Sequence, residues 1–266
     1  MERKLILRGL LAGGAGGLVA FGFARIFAEP QIQAAIDYEA GRDAAHEPSG
    51  PDLFSRTLQA NAGLGVGMIL FGIAMGAVFA VAYTICLGRV GNLRPRTLAM
   101  LVAVGGFLGF YFVLFLKYPA NPPAIGHEET IQTRANLYLA MVVCSLLFLI
   151  GAVALGKLLR PRFGNWNATL LALAAYVVLI GVVMAVLPSL GHLAANVQEY
   201  GRHATETPLP LTDSHGTIVY PGFDVDRLYA FRLYSVGAQV LLWGVIGAVF
   251  GPLADRLLRT PVQVAV

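Results

Sequence analysis

Charge is what this sequence has least of. Asp, Glu, Lys and Arg make up 13% of its 266 residues, against roughly 25% in soluble domains. Water is therefore not its main solvent. Cysteine is scarce too: Cys86 and Cys144 both fall inside apolar runs, which excludes a disulfide framework and leaves them as small packing residues. No H-E-x-x-H pair and no nucleophile elbow occurs, so an enzyme is not expected. The string from Gly151 to Lys157 reads G-x-x-x-x-G-K, but Leu158 follows where a hydroxyl would have to meet magnesium. It also closes an apolar run instead of joining a strand to a helix, so it is no phosphate loop. Strict alternation of the barrel kind is missing, as is any internal repeat that would point to an inverted-repeat transporter.

What is present is apolar length. Six runs, 5–27, 62–87, 97–116, 137–158, 168–187 and 233–253, contain no Asp or Glu, and each reaches the ~20 residues a helix needs to cross hydrocarbon. Backbone polar groups in lipid must be satisfied internally, so such runs are helices. The expected fold is all-α, a polytopic transmembrane helical bundle of about six spans forming a single membrane domain over residues 1–266.

The remaining charge is sorted by side. Arg3, Lys4, Arg8, Arg89, Arg94, Arg96, Lys157, Arg160, Arg162, Arg256 and Arg259 flank the runs on one side with only Glu2 and Asp255 for acids. That side is basic. The opposite side holds three long loops, 28–61, 117–136 and 188–232, with 13 of the 15 carboxylates. Under the positive-inside rule both termini are cytoplasmic and these loops are external. The opening MERKLILRGLLAGGAGG imitates a secretory leader, with Ile26–Ala28 as its cleavage site. Its apolar region exceeds the ~7–15 residues of a leader core, so it is expected to stay as the first span.

Small residues recur at four-residue spacing: Gly9, Gly13 and Gly17; Gly72 and Gly76; Gly105 and Gly109; Gly247 and Gly251. Such faces let helices pack closely, and a sliding interface would use the same residues. Polar groups at membrane depth are few. Arg232, Ser235, Gln239 and Trp243 share a stripe of the last span, and Asn61 lies at the start of the second. Gln239, Ser235 and Asn61 are candidates for lining a path, with interhelical hydrogen bonding the competing role of Gln239. Met68 and Met75 share a face that offers soft ligands or plain packing. Arg25 and Arg232 are expected to snorkel to headgroups.

All five histidines, His46, His127, His192, His203 and His215, fall on the acidic side. Imidazole and carboxylate suit divalent first-row metals, and an acidic rim concentrates cations. Charge sorting alone also produces such a rim, so a solvated loop competes with cation capture. In the last long loop His192, Glu199, His203, Glu206, Asp213 and His215 converge if it folds over the mouth. The loop after the third run opens KYPANPPAIG. Prolines without an N–H cannot continue a helix, so Tyr118–Pro123 is forced into a rigid extended turn. His127, Glu128 and Glu129 then start the next helix, which Thr130 or Glu129 is expected to cap; the functional reading puts His127 and Glu128 at a pore mouth.

Four pieces carry a resemblance: Tyr38-Glu39 with the following His46, Phe54 to Gln59, Lys117 to Gly126, and Phe231 to Gln239 leading into Leu-Trp-Gly. Together they resemble the CbtA family, prokaryotic integral membrane proteins proposed as cobalt transporter subunits. The resemblance implies a multi-pass protein of the cytoplasmic (inner) membrane, acting in cobalt uptake tied to cobalamin supply. It further implies Co2+ as cargo with no resident cofactor, and a small single-span His-rich CbtB-like partner. Members often carry a histidine-rich first external loop; here it offers only His46. No nucleic-acid partner is expected, the bilayer is the solvent, and a homo-oligomer is left open. The rival from another class is a non-transporting scaffold or sensor whose loops bind a protein.

Overall fold

The computed structural model describes residues 2–44, 59–123, 125–202 and 205–259. Five helices are long and apolar enough to cross a membrane among them: Glu2–Phe27, Ala60–Cys86, Pro95–Lys117, Glu128–His192 and Val225–Leu258. The fourth is not one rod. Within the helix Ile131–Val186, Gly164 takes φ 72 and ψ 173, a left-handed break that a side chain would resist. Ser145 and Tyr176, on the two limbs, share a 2.9 Å hydrogen bond, so the limbs fold back on one another. The expected runs 137–158 and 168–187 lie one on each limb, and the protein is an all-α helical bundle.

The chain forms two compact units. One comprises Met1–Pro30, Gly50–Phe107 and Leu233–Val266. It contains α1 (Glu2–Phe27), α3 (Leu64–Cys86), α4 (Pro95–Phe107) and most of α8 (Val225–Arg259). Here the glycine spacing has its physical meaning. A Cβ on Gly13 would collide with the carbonyl oxygen of Gly72, and one on Gly9 with that of Gly76. Backbones touch where side chains are missing, which maximises dispersion contact between helices that gain no hydrophobic driving force in lipid. Helix α8 uses the same device on α1, since a Cβ on Gly16 would lie 2.8 Å from the Leu242 carbonyl oxygen, and on α4, where one on Gly247 would lie 2.9 Å from Ala103 Cβ. Phe79, Tyr83 and Phe250 close the far end edge to face, with Phe250 centroids 5.0 and 4.8 Å from the other two rings. There Arg8 donates to the Leu253 carbonyl and Arg96 pairs with buried Asp255 at 3.2 Å.

The other unit comprises Gln31–Ser49 and Leu108–Arg232. Its apolar part is the α6 hairpin (Ile131–Val186) with α5 (Val113–Lys117), which follows a π-helical turn at Leu108–Phe112. Val113, Tyr118, Met141, Tyr176, Ile180 and Leu190 form its core. The unit also holds α2 (Glu29–Ala44), the short α7 (Ala194–Tyr200) and an antiparallel hairpin of β1 (Leu211–Thr212) and β2 (Ile218–Tyr220). Ala35, Ile125, Phe223 and Leu228 make a second small core. Tyr38 donates to the Pro221 carbonyl and Tyr220 to the Tyr38 carbonyl, each at 3.1 Å. Burial pushes the Tyr38 phenol above its ordinary value, partly offset by Arg42, so it stays a donor.

Gly13→Ala should destabilise the fold in detergent by about 1–3 kcal/mol of overpacking, read as a lower midpoint of thermal unfolding. Gly22→Ala, whose added methyl meets nothing within 4 Å, should leave it unchanged or raise it. Equal midpoints would mean that the glycine contact does not hold α1 to α3.

Candidate functional site

The proline stretch is pinned at both ends. Tyr118 donates to the Pro188 carbonyl at 2.9 Å, and burial pushes its phenol above the ordinary value, keeping it protonated. Arg232 reaches the Ala120 carbonyl through Nε at 3.2 Å and Asn121 Oδ1 through Nη2 at 2.8 Å. This arginine therefore does not snorkel to a headgroup as expected. Once the loop leaves two acceptors at hydrogen-bond range, a charged donor gains more from them than from reaching outward. Arg25 likewise donates to Asn61 Oδ1 at 2.8 Å, which puts the exposed Asn61 in a surface contact.

Beyond the prolines, Gly126 at φ 141 leaves space that a side chain would fill: a Cβ there would lie 2.6 Å from Arg134 Nη1 and 3.4 Å from Glu206 Oε2. His127 follows as the cap of the one-turn 3-10 helix Glu128–Thr130, its Nδ1 accepting from the Glu129 N–H at 3.2 Å. Capping thus falls to His127, not to Thr130 or Glu129. Thr130 has turned inward, because its hydroxyl lies 2.6 Å from Glu206 Oε1 and 2.7 Å from the His127 carbonyl.

Glu206 is the centre of this arrangement. It is fully buried, and a bare carboxylate there would be costly unless paired and hydrogen-bonded. Arg134 meets Oε2 at 3.1 Å, and Asn196 Nδ2 and Thr130 meet Oε1 at 2.7 and 2.6 Å. The same Asn196 amide donates to the Leu190 carbonyl at 2.8 Å. One carboxylate thereby ties the turn that carries His127 and Glu128 to the turn Leu190–His192 that carries His192.

The candidate ligands divide accordingly. His127 and His192 sit on turns joined through Glu206, with Glu128 and His192 exposed. His215 is exposed on the β1–β2 turn, its N–H held by Asp213 Oδ1 at 2.8 Å; that oxygen also accepts from Thr217 N at 2.9 Å. Asp213 is thus occupied in shaping the turn. His46 and His203 lie outside the described residues. Among the described residues no group of three or more His, Cys, Asp or Glu is placed to hold a metal ion. Sequence reasoning offered Glu206 as a ligand and missed Arg134 and Asn196 altogether.

At membrane depth Gln239 and Met68 line one groove of about 140 Å3, with Ala20, Gly67, Phe71, Ala238 and Leu242 completing its walls. Ser235, half-buried on the same helix, is not among the lining residues.

The apolar helices of the two units define a multi-pass helical membrane protein. Comparison with known families gives the rest: the family described as "Probable cobalt transporter subunit (CbtA)" matches residues 2–255, and the chain belongs to it. No curated protein and no solved structure matches the chain.

Glu206→Gln should destabilise the fold by about 3 kcal/mol, since Arg134 loses its counter-charge in a buried place. Limited proteolysis of the full chain should then cut first near residues 126–130 and 190–207. An unchanged cleavage pattern would show that the two turns are held by something else.

Proposed function

We propose that this chain is the membrane-embedded subunit of a divalent-metal uptake transporter with cobalt as its cargo. Its termini face the cytoplasm of a prokaryote and its loops 28–61, 117–136 and 188–232 face outward. The observation that carries this reading, beside the family, is the Glu206 assembly. It gathers two histidine-bearing turns on the acidic side of a protein whose apolar helices hold no Asp or Glu in their expected spans. His127 and His192 are the first ligands offered to an arriving cation, with Glu128 beside them and His46, His203 and His215 supplementing them. Ligands on exposed turns suit capture followed by release: a transported ion needs a site weak enough to leave. The chain does no covalent chemistry in this reading.

The missing histidine density is supplied by a partner, a small single-span subunit with a His-rich segment. The alternative, a scaffold or sensor that moves no metal, predicts that the histidines are dispensable for accumulation. Replacing His127, His192, His203 and His215 together with alanine should lower cellular cobalt accumulation by about tenfold, as for loss of ~1.4 kcal/mol of binding, at unchanged protein level. Full accumulation in that variant would remove these residues from the mechanism and favour the scaffold.

A further inference from the structure

The turn at Gly164 carries charge that nothing in the helix around it offsets. Lys157, Arg160 and Arg162 fall close together, and no Asp or Glu occurs from Ile131 to Gln198. Among the described residues neither Arg160 nor Arg162 pairs with a carboxylate. Both are exposed, and the left-handed Gly164, with nothing within 4 Å of where its Cβ would be, sets the bend that presents them. Arg162 is not left to wander, because its guanidinium lies 5.6 Å from the centroid of the Phe163 ring. Apolar side chains share the turn: Leu158 is 76% and Trp166 74% exposed. Water suits the guanidinium groups but not the leucine or the indole, and hydrocarbon does the reverse. The boundary between the two, lined with phosphate, suits them all.

We propose that this turn is a binding site for an anionic phospholipid, its phosphate held by Arg160 and Arg162 and its acyl chain laid against Leu158 and Trp166. Charge complementarity selects that occupant. A guanidinium meets phosphate with paired N–H donors and is more weakly hydrated than an ammonium. Two of them therefore favour a headgroup with net negative charge over one whose phosphate is offset by its own cation. A basic residue at an anionic membrane surface contributes roughly a fivefold gain in affinity. An acidic protein segment would satisfy the guanidinium groups but not the indole and Leu158 beside them. Charge sorting orients a chain in the membrane without selecting one lipid over another; this turn does select. The site depends on the chain's crossing a bilayer and not on cobalt as its cargo.

Trp166 and Trp243 are the chain's two tryptophans, which makes the site readable by fluorescence. The full chain is placed in bilayers of phosphatidylcholine or phosphatidylglycerol with brominated acyl chains, which quench indole on contact. The Trp166 signal is the difference between the parent chain and Trp166→Phe, so the buried Trp243 stays untouched. Phosphatidylglycerol should bind beside Trp166 about fivefold or more tightly than phosphatidylcholine. Arg160→Gln with Arg162→Gln should bring that ratio to about one, whereas Arg94→Gln, in the other unit, should leave it unchanged. Equal quenching by the two lipids would overturn the proposal, as would a preference that survives the double substitution or falls as far in Arg94→Gln. A preference that inorganic phosphate abolishes at matched ionic strength would overturn it too, since the ligand would then be the free anion and not a lipid. No metal flux is read, so either outcome leaves the cobalt reading where it stands.

Discussion

Hydrocarbon accepts no hydrogen bonds, and that constraint arranges the rest of the molecule. Each apolar run becomes a helix that closes its own backbone bonds, and helices then hold together through contact alone. In that setting the glycine faces of α1 and α3 substitute for a hydrophobic core. Carboxylates and imidazoles are driven out of the spans, so the chemistry collects in the loops. Glu206 and Gln239 are among the polar groups that this sorting leaves in other surroundings. Glu206 is buried outside the expected spans with both carboxylate oxygens engaged, and Gln239 lies inside one, lining a groove.

The two groups belong to different units. Glu206 fixes the relative position of the turns that carry His127, Glu128 and His192. Gln239 belongs to the glycine-packed unit, where it lines a groove together with Met68.

The helical class was legible because length and the absence of charge leave hydrocarbon one solution. The glycine contacts were legible as well, since four-residue spacing places Gly9, Gly13 and Gly17 on one face whatever the partner. The break at Gly164 was visible only as a gap between two runs; nothing local announces that a helix will continue through Pro161 to reach it. The loop unit was largely hidden. Thr130, Arg134 and Asn196 meet Glu206 across separations of 76, 72 and 10 residues, and no spacing rule reports contacts made by a folded loop. For the same reason Arg232 looked like a headgroup anchor until the proline turn presented Ala120 and Asn121 to it. His127 shows the limit from the other side: a residue type that suits a metal also suits a helix cap, and the cap is what the Glu129 N–H finds.

Membership of the family names a cargo, and cargo is settled by flux. The most direct measurement is radioactive cobalt uptake into sealed vesicles holding the purified chain, alone and with a His-rich single-span partner, with nickel and zinc as competitors. The account predicts saturable uptake when both subunits are present, with cobalt preferred. No uptake in either preparation, with the chain folded, would contradict it and leave a membrane scaffold in its place.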